Sequence, residues 1–364
     1  MLNSERQRAD TNLVNANNKM TMPQFAFEQH KNYFLHSLDQ LPSKSAIFDN
    51  SRITMLYFEL IGLDILDALE SLTDQHKKEI VNWVYKLQLV PNENCPEQKC
   101  GFMGSTTVIN LKTYPKCDKY CESNVGMTYM ALCILITLGD DLSRVNKSAI
   151  LWGVGSLQKS DGSFRSNYEN GENDLRFMYC SLAICNILND WSTINVNNAI
   201  QFISKCLNYD GAFGQNPGAE SHGGSTYCAI ASLSLLESLS LVLDKRKLKV
   251  LERWVVNRQF NGGFQGRINK DPDTCYSFWL GATLSIIGSL DRIHKNENIN
   301  FILNNANLLT GGFSKNMDSV PDLMHTCLSL SGLSLFGDDN LNPIIPALNI
   351  TVRAANFLKH IQKK

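Results

Sequence analysis

Asn261-Gly262-Gly263-Phe264 and, 49 residues later, Thr310-Gly311-Gly312-Phe313 carry one repeated element, and the architecture follows from what surrounds it. The element recurs upstream as Asp210-Gly211-Ala212-Phe213, as Asp161-Gly162-Ser163-Phe164 and, shortened, as Cys100-Gly101-Phe102. Its phenylalanines stand at 102, 164, 213, 264 and 313, so the gaps are 62, 49, 51 and 49. Near-equal spacing of this size marks a chain built from stacked copies of one supersecondary unit. The longer first gap is assigned to a Cys-rich insertion between Thr107 and Ser123.

Each unit has the same layout. An amphipathic segment comes first, such as 245–259, where Leu248, Leu251, Trp254 and Val255 mark one helical face. The Gly-Phe turn follows, with glycine supplying positive φ or close backbone approach. A polar link then leads into a second helix that is apolar nearly all round, at 177–188, 225–239, 277–290 and 325–336. Small residues in these runs (Ala231, Ala282, Ser329, Gly332) let neighbouring helices approach closely. A helix apolar on every side must be buried on every side, which an open solenoid does not achieve. The sequence therefore predicts an all-α fold: an α/α barrel of helical hairpins, about 50 residues per repeat, in two concentric rings. Residues 24–364 are read as that barrel domain, and residues 1–23 as a polar, disordered arm.

Composition limits the function. Lys plus Arg is 34 and Asp plus Glu is 35, a net charge of −1 over 364 residues. That balance argues against a nucleic-acid binder, which needs an excess of phosphate-neutralising cations. No apolar run reaches the roughly 18–20 residues that span a bilayer, and no secretory h-region is visible. A soluble cytoplasmic protein is expected. Of the 11 cysteines, Cys133, Cys180, Cys185, Cys228 and Cys327 fall in apolar helical runs and read as buried reduced thiols. Cys95, Cys100, Cys117 and Cys121 crowd one loop-like stretch whose spacing fits the usual zinc patterns poorly, and they are left without a role.

Counting from each phenylalanine locates the reactive residues. Glu172 and Arg176 lie 8 and 12 after Phe164, and His222 lies 9 after Phe213. Asp273 and Cys275 lie 9 and 11 after Phe264, and His325 lies 12 after Phe313. All fall at the link or first turn of an inner helix, so a barrel brings them to one rim. Helix N-termini there offer unpaired N–H groups and partial positive charge, which suit a phosphate. Asp273, Cys275 and His325 form a candidate metal set with one position open, the catalytic rather than the structural zinc pattern. Spacing alone equally allows a core cysteine, an N-cap aspartate and a packed histidine. Arg267, Lys270 and His222 add positive charge and donors at the same rim, with Gly223 and Gly224 expected to let a ligand approach. Tyr129, Phe177, Tyr276, Phe278 and Trp279 are candidates for an apolar wall or plain core.

The Gly-Gly-Phe repeats, Glu220-Ser221-His222-Gly223-Gly224-Ser225-Thr226, Asp273-Thr274-Cys275-Tyr276-Ser277-Phe278-Trp279 and Pro321-Asp322-Leu323-Met324-His325 resemble the β subunit of protein prenyltransferases. Ser51-Arg52-Ile53-Thr54, Gly62-Leu63-Asp64, the stretch from Leu138 to Val145 and Pro346-Ala347-Leu348-Asn349 extend the likeness from about His30 to the C-terminus. Within the family the chain is most similar to protein geranylgeranyltransferase type I. The resemblance implies an obligate heterodimer with a helical α subunit. It implies transfer of geranylgeranyl from geranylgeranyl diphosphate to the cysteine of C-terminal Cys-a-a-X proteins such as small GTPases, X mostly Leu. One Zn2+ would be held by Asp273, Cys275 and His325. His222, Arg267, Lys270 and Tyr276 would stabilise the leaving diphosphate.

Thr54 stands where the farnesyl enzyme has a bulky tryptophan, leaving room for one more isoprene unit. Lys315 stands where that enzyme has a carboxylate assisting magnesium and would itself neutralise diphosphate, so no Mg2+ requirement is expected. Expected substrate-binding residues are Thr54, Phe58, Asn124, Met127, Tyr129, Glu172, Arg176, Trp279 and Met324. Asn124 replaces the family histidine near the peptide carboxylate, and Met324 replaces a leucine beside the zinc histidine, which predicts broader choice at X. Thr54 and Lys315 weigh against a farnesyl enzyme, and the segment around 30–41 against the Rab type. A terpene cyclase is disfavoured because Asp140-Asp141-Leu142-Ser143-Arg144 lacks the last carboxylate of a DDxxD motif and reads as a helix start. A non-catalytic binding scaffold predicts an incomplete metal set.

Overall fold

The computed structural model describes residues 25–92, 95–107, 122–169 and 171–363. The arm at 1–23 and the cysteines Cys117 and Cys121 lie outside the described residues. In chain order the helices are α1 (Phe27–Asp39), α2 (Arg52–Ile65), α3 (Asp74–Lys86), α4 (Val125–Thr137), α5 (Lys147–Leu157), α6 (Leu175–Leu188) and α7 (Val196–Lys205). They continue as α8 (Gly223–Leu235), the short α9 (Leu239–Val242), α10 (Lys245–Val256), α11 (Cys275–Ile286), α12 (Lys295–Asn304), α13 (Leu323–Leu335) and α14 (Val352–Ile361). Three antiparallel pairs of two-residue strands complete the description: β1 (Gln88–Leu89) with β2 (Gly101–Phe102), β3 (Gln259–Phe260) with β4 (Gly263–Phe264), and β5 (Ile344–Ile345) with β6 (Ile350–Thr351).

The inner ring consists of α2, α4, α6, α8, α11 and α13. Each packs on the next, and α13 packs back on α2, so the ring closes. Closure decides between the barrel and the open solenoid. It is also what allows helices such as α4, apolar all round, to be buried on all sides. Small residues permit the close approach: a Cβ on Gly332 of α13 would lie 3.1 Å from Ser277 Cβ of α11. The helices α1, α3, α5, α7, α10 and α12 form the outer layer. In α10, Leu251, Trp254 and Val255 turn inward, and Leu248 is partly buried.

Every repeat phenylalanine is fully buried. Each sits in a tight return from the preceding outer helix: Phe102 and Phe264 pair as strands, and Phe164, Phe213 and Phe313 bridge Gln158, Leu207 and Ala306. The Phe213 and Phe313 N–H groups donate to Thr226 and Thr326, each 13 residues on, at 3.0 and 2.9 Å. Phe102 N–H meets Thr128 in the same way at 2.9 Å, but 26 residues on. The excess equals the excess of the first gap, which locates the insertion between Phe102 and Thr128. The turn glycines brace the next outer helix. At φ +93° Gly162 lies so near α7 that a Cβ would fall 2.0 Å from Asn198 O. Gly311 bears on Gln29 of α1 equally closely, 2.0 Å, and His30 stacks on Phe313 at 4.3 Å with Nδ1 accepting the Gly312 N–H. The outer layer therefore closes as well.

One end of the barrel is plugged. Tyr57, Tyr129, Tyr179 and Tyr227, from four successive inner helices, link their hydroxyls at 3.1–3.4 Å. Tyr129, Tyr179 and Tyr227 donate to the carbonyls of Leu348, Ala347 and Pro346 at 2.7, 3.1 and 2.9 Å. Inner helices end earlier than their hydrophobic runs suggest. Glu237 and Gly288 take positive φ just past α8 and α11 and stop them. Asp140 and Asp141 are not a helix start: their carboxylates accept the N–H groups of Leu142 and Ser143 in a turn, and Asn146 caps α5. Cys133, Cys185, Cys228 and Cys327 are buried free thiols, as expected, while Cys180 is free and only partly buried. Cys95 and Cys100 are also free and buried, around Ala149. No helix among the described residues is long and apolar enough to cross a membrane.

Candidate active site

The open end of the inner ring is built from helix starts. Asn124, Asp174, His222 and Asp322 are the N-cap residues of α4, α6, α8 and α13, each accepting an N–H of its own first turn. Asp273 holds the matching place before α11. Its N–H donates to Phe264 O at 3.0 Å, and its Oδ1 accepts the Cys275 N–H at 3.0 Å. Neighbouring Thr274 is anchored on the next repeat through Lys315 O and Ser314 O. This irregular start lets Asp273 and Cys275 face one point although they are two residues apart.

That point also receives His325 of α13. Ligand atoms of Asp273, Cys275 and His325 lie within 4.8 Å of one another, and all three residues are buried. His325 Nε2 is 3.3 Å from Asp273 Oδ1, and Nδ1 is 2.6 Å from Asp322 Oδ2. Asp322 thus orients the imidazole, the usual support for a metal-ligating histidine. Sequence reasoning missed this role, although an aspartate three residues before a histidine at a helix start was a visible signal. Burial works to lower the His325 pKa, but the Asp273 and Asp322 carboxylates outweigh it and raise it to about 9. Burial and then Asp273 push the Cys275 thiol well up. Asp273 itself is held down, because hydrogen bonds from His325 and Cys275 overcome its own desolvation. Nitrogen, sulfur and oxygen donors with a carboxylate-oriented histidine fit a metal ion, which takes the place of the thiol and imidazolium protons.

Beside this set lies a cleft of about 370 Å³ lined by His222, Arg267, Lys270, Tyr276 and Lys315 together with Asp273. All five residues expected to meet diphosphate therefore share one space. The local wiring defines a donor. His222 Nδ1 accepts the Gly224 N–H at 3.1 Å, so Nε2 carries the proton of the neutral ring and faces the Tyr276 hydroxyl at 2.9 Å. Burial, then Arg267, lowers the His222 pKa and keeps that ring neutral. Burial raises the Tyr276 pKa, so its hydroxyl, accepting from His222, keeps a proton to donate. Arg267 is steadied by Glu220 at 3.0 Å. Gly223 is positioned differently from expectation, and Gly266 closes on the same ring. A Cβ on Gly266 would lie 2.1 Å from Tyr276 Cζ, and one on Gly223 would meet Tyr276 and Leu280. Gly223 seats the tyrosine rather than a ligand.

The remaining expected residues distribute along the inner ring. Thr54 of α2 donates to Met127 Sδ of α4 at 3.3 Å. Phe58 packs edge-on against Tyr57, and Met324 is 37% exposed beside His325. Asn124 spends its side-chain oxygen on capping α4, at 2.9 Å from Gly126 N and 3.3 Å from Met127 N, leaving its amide hydrogens for a ligand. Arg176 is gripped by buried Asp174 through Nε and a terminal nitrogen, with Glu172 at 3.1 Å. Two residues sit away from the rim chemistry: Tyr129 belongs to the plug, and Trp279 packs on Tyr227 at 4.9 Å. Phe278 is fully buried core, not wall.

Fold and rim define a class, an α/α toroid enzyme with its chemistry gathered at one end of the inner ring. The Prenyltransferase alpha-alpha toroid domain matches residues 25–350. The chain belongs to this prenyltransferase family. It is 41% identical over 343 residues to a geranylgeranyl transferase type-1 subunit beta from Dictyostelium discoideum, spanning 90% of this chain and 96% of the relative. The corresponding Arabidopsis thaliana subunit is 37% identical over 350 residues, 91% of this chain and 90% of the relative. Candida albicans protein geranylgeranyltransferase-I complexed with GGPP superposes with a TM-score of 0.83 at 30% identity, covering 94% of this chain and all of that one. The likeness to type-1 β subunits read from the motifs holds, as does the assignment as a prenyltransferase.

Proposed function

We propose that this chain is the catalytic β subunit of a zinc-dependent protein geranylgeranyltransferase type I, working as a heterodimer with a helical α subunit. Its substrates are geranylgeranyl diphosphate and proteins ending in Cys-a-a-X, with X mostly Leu. The observation that carries the reading is the adjacency of Asp273, Cys275 and His325 to a cleft of cationic and hydroxyl donors. Asp273, Cys275 and His325 would hold a zinc ion, whose Lewis acidity would favour the ionised, nucleophilic form of an incoming thiol. The substrate sulfur then forms a bond to C1 of the isoprenoid as the C1–O bond breaks and diphosphate leaves with the electron pair. Tyr276, backed by His222, donates a hydrogen bond to that leaving group, while Arg267, Lys270 and Lys315 neutralise it. Glu172, Arg176 and Asn124 lie at neighbouring helix starts and suit the peptide's terminal carboxylate, reached through water.

Thr54, in contact with Met127, is the small residue that leaves room for the fourth isoprene unit. Thr54, Phe58 and Met324 form the pocket for X, where methionine's flexibility broadens choice between Leu and Phe. The test is transfer by the heterodimer to a Cys-a-a-Leu peptide from geranylgeranyl and farnesyl diphosphate. Zinc chelation is expected to abolish transfer, magnesium removal to leave it unchanged, and the longer donor to be preferred. Absence of bound zinc in the active heterodimer would overturn the ligand assignment; a large loss without magnesium would overturn the role given to Lys315.

A further inference from the structure

A cleft of about 300 Å³ lies among α1, α2 and α3 and shares no lining residue with the cleft at His222. Along α2 it is lined by Met55, Leu56 and Glu59, whereas Thr54 of the same helix turns to Met127 of α4. Leu38, Leu41, Met55, Leu56, Ile80 and Trp83 make its walls apolar. Into this setting α2 places an acid: Glu59 is 3% exposed, and its Oε1 has no hydrogen-bond partner. A buried polar atom left unpaired costs stability, and an apolar side chain would serve α2 better at this point. The group therefore calls for a partner from outside the chain. The other charges of the cleft favour a cation. Arg52 is held by Asp49, which lies outside the lining, at 2.6 Å. Glu79, exposed on α3, accepts the neutral Gln75 amide at 2.7 Å. Neither Glu59 nor Glu79 has an ion-pair partner among the described residues.

We propose that this cleft binds a small primary amine as its ammonium ion, the head on Glu59 and a short apolar stem against α1 and α3. An anion is repelled by the two carboxyl groups. A wholly apolar ligand leaves Glu59 Oε1 unpaired, and an alcohol brings one donor where an ammonium brings three. Trp83 adds an indole, the ring type on which cations bind best. The volume stands at the lower end of the range for small-molecule sites, which limits the stem to a few carbons. The site is independent of the transferase reading, because none of its residues belongs to the metal set or the diphosphate cleft.

The experiment titrates the intact heterodimer with hexylammonium, hexanol and hexanoate and reads binding by calorimetry. Burial raises the Glu59 pKa to about 8, so the titration is run at that pH, where the carboxyl gives up its proton to solvent readily as the ammonium arrives. Hexylammonium is expected to bind about tenfold more tightly than hexanol, the difference between a charge-assisted and a neutral hydrogen bond, and hexanoate not to bind. Glu59→Gln keeps the shape of the cleft. It is expected to bind hexanol like the wild type and to lose the tenfold preference for the ammonium. Trp83→Leu should weaken hexylammonium more than hexanol. A melt of each variant confirms that it is folded. Three results each overturn the site: no binding of hexylammonium to the heterodimer, equal affinity for ammonium and alcohol, or an undiminished preference in Glu59→Gln. A heterodimer that transfers no geranylgeranyl yet shows the preference strikes only the transferase reading.

Discussion

Replacing Asp322 separates two jobs done by one carboxylate. Oδ1 accepts the His325 N–H at 2.9 Å and caps α13, while Oδ2 holds His325 Nδ1 at 2.6 Å. Asp322→Ala removes both; Asp322→Ser keeps a capping oxygen and removes only the imidazole's partner. Loss of the cap costs about 1 kcal/mol, which for a chain of this size lowers Tm by about 2 °C. Loss of a carboxylate behind a ligating histidine weakens metal binding about 10- to 100-fold, or about 1.4–2.7 kcal/mol. Zinc affinity is measured by competition with a chromophoric chelator, and Tm by melting the metal-free heterodimer. Both variants are expected to lose zinc affinity to the same degree, and only the alanine variant to lose stability. If the serine variant binds zinc like the wild type, or if affinity merely follows Tm, the carboxylate does not orient the ligand and the reasoning fails.

Two further outcomes follow from buried groups. Glu59 of α2 is 3% exposed, has an unpaired Oε1, and burial pushes its pKa up to about 8. In the unfolded chain it ionises near its ordinary value, so stability falls as pH rises from about 4.5 to 8, by at most about 4 kcal/mol. Thermal melts of wild type and Glu59→Gln across that window should diverge toward pH 8, the variant being the more stable. Taking the difference cancels His30, whose burial pushes its pKa down to about 4 and gives the opposite slope; parallel melting curves would contradict the assignment. Gly266→Ala places a Cβ 2.1 Å from the Tyr276 ring and must displace it. Steady-state transfer should fall roughly 10- to 100-fold, matching Tyr276→Phe, and a full rate in the alanine variant would show that the hydroxyl contributes nothing.

The sequence was most legible where structure is local. The repeat turns, the outer faces such as Leu251 and Trp254, and the rim position of Asp273 and His325 all follow from spacing within one unit, because a helix start and its cap are set by a few residues. Contacts between units were not legible. Tyr129 read as wall or core and as an expected substrate-binding residue; its hydroxyl meets Leu348 O, 219 residues away, and no local pattern announces that bond. Phe278 read as wall or core and is core, because which side of an all-apolar helix faces the lumen depends on neighbours rather than on its own periodicity. Asp322 stood in a motif and Asp174 went unnoticed, and their grip on His325 and Arg176 became visible only with side chains in place.

Ring closure also governs how the chain is made. On the ribosome, α2 emerges more than 250 residues before α13, its final neighbour, a delay on the order of tens of seconds at common elongation rates. Through that interval the apolar flank of α2 lacks its last partner. The hydroxyls of Tyr129, Tyr179 and Tyr227 likewise wait for the carbonyls of 346–348. The nascent barrel is therefore an open arc with a sticky edge until nearly the whole polypeptide has been translated. Its yield in the cell should depend on chaperone holding during synthesis more than on the stability of the finished toroid.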